Sequence, residues 1–81
     1  MQNSRFDTPI VVRTSVAGVT RSLGNAKEAS DFLLSAWPSK RSPKHREALQ
    51  ACHDAVEGTK PAMHARRAFV AAAREADILT A

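Results

Sequence analysis

Eighty-one residues, 43% of them hydrophobic and 25% charged, allow one globular domain without a second core and lie outside the compositions of disordered chains. A single cysteine, Cys52, excludes an intrachain disulfide and fits a reducing compartment, no apolar run approaches the roughly 20 residues that span a bilayer, and residues 1–7 lack the apolar core of a secretory signal. The net charge of +4 is local, because Trp37 to Arg46 holds Lys40, Arg41, Lys44 and Arg46 with no acid while the flanking stretches nearly balance.

In chain order, residues 1–8 read as an N-terminal extension and residues 9–79 as one small domain. Residues 9–14 are short and β-branched, and residues 18–23 alternate apolar or long side chains with small polar ones, which predicts two strands. Ser15-Val16-Ala17-Gly18 between them has hairpin length and supplies a glycine for a positive φ.

After Gly24 the period changes. Ala29, Phe32, Leu33, Ala36 and Trp37 fall on one face of a helix, capped by Asn25 with Glu28 reaching back as in a capping box, and stopped by Pro38. Ser42-Pro43 starts a second helix with apolar face Ala48, Leu49, Cys52, Ala55 and Val56, and Gly58 closes it. Thr59-Lys60-Pro61 opens a third, on which Ala62, Ala65, Phe69, Ala72, Ala73 and Ala76 align, with Ile78 and Leu79 left over to pack under the hairpin or on a neighbour. The expected fold is α+β, a two-stranded β-hairpin followed by three α-helices (ββααα). A hairpin has two open edges, which invite pairing into a homodimer.

Several of these residues together carry a resemblance: Phe6-Asp-Thr-Pro-Ile-Val-Val12, Ala26-Lys-Glu-Ala29, Trp37-Pro38, His45 with Ala48 and Cys52, Gly58, and Ala65-Arg-Arg-Ala-Phe69 with Ala72-Ala73. From about Phe6 to Ile78 the chain resembles the small bacterial family called domain of unknown function 982. The resemblance implies a short, free-standing bacterial protein of that fold and brings no catalytic residue. This chain has Ser42 where the family often carries glycine.

The basic stretch offers Lys40, Arg41, Lys44, His45 and Arg46 as candidate contacts for an anion or nucleic acid, since Lys44 and Arg46 lie in the first turn of a helix, where free amides favour negative charge. Pro43 removes one of those amides. The Pro38 to Ser42 connection lacks the glycine of a helix-turn-helix, and no aromatic besides Trp37 lies near enough to stack on bases.

Enzyme chemistry has no support in the spacing. Cys52 falls on an apolar face with His53 turned roughly 100° away, and His45, Cys52, His53 and His64 match no usual metal-ligand pairing. No glycine-rich phosphate loop is present, and no cofactor is expected. The reading is a cytoplasmic, non-enzymatic interaction module that self-associates through the hairpin edge and offers Leu34 and Trp37 to a protein partner still to be identified. The alternative is an accessory nucleic-acid or phosphate-ligand binder using the Trp37 to Arg46 segment.

Overall fold

The computed structural model describes residues 5–38 and 40–80 and has the expected order ββααα: β1 (Arg5–Arg13), β2 (Thr20–Asn25), α1 (Ala26–Ser35), α2 (Pro43–Glu57) and α3 (Ala62–Glu75). The strands pair antiparallel, with Ile10 opposite Leu23 and Val12 opposite Arg21. Side chains alternate across a sheet, so Ile10, Val12 and Leu23 point onto the helices and are buried, while Val11, Arg13 and Ser22 face outward. The tight end of the hairpin needs Gly18, whose φ of +82° is open to glycine at no steric cost.

β1 begins earlier than the sequence reading placed it. Residues 5–8 are strand and not extension, because Phe6 drops into the core at 4% exposure and Arg5 pairs with Asn25. The register shifts between Arg5 and Ile10. Pro9 falls in that irregular stretch, where a missing N–H breaks no regular ladder.

α1 starts as expected: the Asn25 side chain accepts from the Glu28 N–H at 2.8 Å. The Glu28 carboxylate reaches one residue further back than a capping box requires and accepts from the Gly24 N–H at 2.7 Å. The helix stops at Ser35, short of Trp37, because the residue before a proline is driven from the helical region, and Trp37 precedes Pro38. Trp37 still reaches the core by folding back. Its ring lies edge-on to Phe32 and Phe69, each 5.9 Å away, and to His45 at 5.2 Å.

α2 and α3 pack through alanine. Ala48, Ala51 and Ala55 of α2 and Ala65, Ala72 and Ala73 of α3 are buried, with Cys52 and Phe69 as the larger fillers. Small side chains let the two backbones approach closely, which explains how so few aromatic residues fill the core. Gly58 ends α2 in the left-handed conformation.

The C-terminal end of α3 redirects the chain. Asp77, at φ 58°, turns it, while the Asp77 N–H donates to the Arg74 carbonyl and the Ile78 N–H to the Ala73 carbonyl, the two bonds of a Schellman motif. Residues 78–80 then run back along β1: the Arg13 N–H donates to the Ile78 carbonyl at 2.8 Å, and the Thr80 N–H to the Val11 carbonyl at 3.1 Å. Leu79 forms a bridge with Val12. The hairpin therefore does not have two open edges, since the outer edge of β1 is partly covered by residues distant in sequence. Among the described residues, the other edge, along β2, has no such cover.

Candidate functional site

The cationic segment between α1 and α2 is bound into the structure at several points. Arg41 Nη2 donates to the Leu34 carbonyl at 2.9 Å, placing positive charge at the C-terminal end of α1, where free carbonyls and the helix dipole favour it. Trp37 Nε1 donates to the Lys40 carbonyl at 3.2 Å and pins the loop over the aromatic cluster.

His45 departs from its expected role. It is 2% exposed, and its Nε2 lies 2.9 Å from the Leu33 carbonyl, a bond in which the ring nitrogen is the donor. The ring sits edge-on to Trp37 and ties the first turn of α2 to the last turn of α1. Its periodicity with Ala48 and Cys52 on α2 carried that signal, masked by the four cations around it. Trp37, offered as a partner contact, is half-buried in the same cluster.

The start of α2 already has a carboxylate beside it. The Ser42 side chain accepts from the His45 N–H at 3.4 Å and donates to Glu75, which arrives from the end of α3. No acid lies in the first turn of α2 itself, so Glu75 supplies the negative charge that the helix N-terminus favours. An incoming anion would meet that carboxylate. Lys40, Lys44 and Arg46 remain exposed, but the structure does not gather the five candidate residues around one point.

Two other surfaces have more shape. Between α1 and α2, Ser30, Leu34, Arg46, Leu49, Gln50 and His53 line a shallow groove of about 390 Å³. Leu34, 52% exposed, stands at this groove. The second surface is the edge of β2. Val11 and Arg13 turn their backbone groups toward residues 78–80, so Val12 and Thr14 turn theirs toward β2, and the Thr14 N–H indeed donates to the Val19 carbonyl at 3.0 Å. By the same alternation, Thr20 and Ser22 turn their backbone groups outward. Gly24 does too, but Glu28 already satisfies its N–H. Next to this edge, Val16 and Val19 are 60% and 47% exposed.

Cys52, on α2, is buried in the core, and burial alone pushes its thiol up to about 12, far from a reactive thiolate at neutral pH. Among the described residues, no group of three or more His, Cys, Asp or Glu is arranged to hold a metal ion. No helix among them is long and apolar enough to cross a membrane.

Residues 8–80 match the model of the family described as Protein of unknown function (DUF982). No curated protein and no solved structure matches the chain.

Proposed function

Because the chain belongs to the DUF982 family, which carries no assigned activity, we propose its role from the surface it presents: a non-enzymatic, cytoplasmic interaction module that self-associates through β2. The observation that supports this most is the asymmetry of the hairpin. One edge is taken by residues 78–80, whereas the other leaves the outward backbone groups of Thr20 and Ser22 without a ladder partner among the described residues, beside exposed Val16 and Val19.

Unpaired strand edges are templates for pairing, and protective charge or proline at the edge normally blunts them. Thr20 and Ser22 are neutral, no proline lies in β2, and the one charge of the strand, Arg21, is turned over the Phe32 ring. A twofold axis across this edge would join two hairpins into one four-stranded antiparallel sheet, with the valines closing over the junction. Leu34, on the α1–α2 groove, offers a separate contact for a protein partner.

Light scattering over a range of concentrations tests the reading. The wild-type chain is expected to dimerise with rising concentration and Ser22→Pro to stay monomeric, since proline removes an outward N–H while no bond to β1 depends on it. A wild-type chain that remains monomeric at high concentration overturns the proposal. Circular dichroism of Ser22→Pro separates a lost dimer from a lost fold.

A further inference from the structure

A second cleft of about 390 Å³ lies on the other side of the hairpin, between β1, α3 and the returning segment 78–80. Its floor is apolar, from Ile10, Val70 and Leu79. Arg66 and Arg74 line it, and with Val70 between them they recur every four residues on one stripe of α3. Eight residues of helix place the two backbone positions about 12 Å apart.

Arg66 is held in place: its Nε donates to the Thr8 carbonyl at 3.0 Å, which fixes the plane of the guanidinium and leaves its Nη donors for other partners. Arg74 makes no side-chain hydrogen bond or ion pair with another described residue. Among the described residues, no acidic side chain lines the cleft. Two cations thus face an apolar floor without a compensating charge among the described residues.

We propose that this cleft binds a small organic carboxylate with an apolar body. A guanidinium fork matches a carboxylate with paired, charge-assisted hydrogen bonds, and the floor gives the rest of the ligand a surface to cover. The volume falls in the lower part of the range of small-molecule pockets. A bare phosphate would satisfy the arginines and leave Ile10, Val70 and Leu79 uncovered. A peptide strand added along β1 would find the Thr8 carbonyl taken by Arg66, the Val11 carbonyl taken by Thr80, and no N–H at Pro9.

Amide chemical shifts of the full ¹⁵N-labelled chain, followed during titration with octanoate and with phenylacetate, test this. Octanol, inorganic phosphate and a short acidic peptide serve as comparisons. At least one of the two carboxylates is expected to saturate, with shifts centred on Thr8, Ile10, Val70 and Leu79, and to bind about tenfold or more weakly to Arg74→Gln. Octanol is expected to bind weakly and to be indifferent to that change. Arg74→Gln breaks no described side-chain bond, so its fold serves as the control that Arg66→Gln, which loses the bond to Thr8, cannot provide. Absence of saturation with both carboxylates, equal binding of octanol or phosphate, or preferential binding of the peptide would each overturn the proposal. Repeating the titration on Ser22→Pro keeps the result independent of self-association.

Discussion

The segment from Trp37 to Arg46 and the α3 stripe from Arg66 to Arg74 are both cationic, yet their charges do different things. In the first, four cations crowd ten residues, but Arg41 caps α1, the adjacent His45 is buried, and Glu75 stands at the helix start an anion would seek. In the second, two arginines eight residues apart meet on one cleft with no acid among its described lining residues. Density of charge along a chain is a poor guide to field at a point. What matters is which neighbours engage the charges and what shape they surround.

The contrast is sharpest at His45. If the first segment is chiefly structural, His45→Ala should cost about 2–4 kcal/mol in urea denaturation, from the cavity it opens and the Leu33 carbonyl it leaves unpaired. A loss below the range of a surface substitution would return His45 to the list of ligand contacts. The same helix supplies a pH test. The Cys52 thiol, raised by burial from an ordinary 9.0 to about 12, ionises later in the folded chain than in the unfolded one. Between those values the unfolded state binds fewer protons, so this group lowers stability as pH rises, by at most about 1.4 kcal/mol per unit, and contributes no slope below them. Denaturation of wild type against Cys52→Ala from pH 8 to 11 isolates that slope.

Arg41→Ala should lose about 1 kcal/mol, the worth of its bond to the end of α1, and more of it at low salt than at high. At the small end, Lys40→Gln and Lys44→Gln should each change stability by less than about 0.5 kcal/mol. A larger loss from either lysine would mean that the segment holds the fold through contacts of its own.

Much of the fold was readable because its signals are local. Asn25, Ser42-Pro43, Gly58 and Gly18 each mark a boundary through chemistry within a few residues, and the structure places them at two N-caps, a C-cap and the hairpin turn. Trp37 and Phe6 were harder. Trp37 continues the helical period of α1 while Pro38 forbids the conformation, and Phe6 lies beyond a proline that hides the first part of β1. The candidate sites were less legible still. Arg66 and Arg74 look like solvated charges on the outer face of an alanine-rich helix. Only the return of residues 78–80, made by a left-handed aspartate that no turn motif announces, builds the wall that makes their stripe part of a cleft.

That return also orders events in time. Thr80 and Val11 are 69 positions apart, so the pairing that completes the sheet closes a loop containing all three helices. Such a closure carries most of its entropic cost before its bonds form, and topologies dominated by long separations fold slowly. On the ribosome, β1 emerges ahead of all three helices and must wait for almost the whole described chain before its second neighbour exists. Until then its outer edge is as bare as that of β2, and the nascent chain is at its most exposed to pairing with the wrong strand.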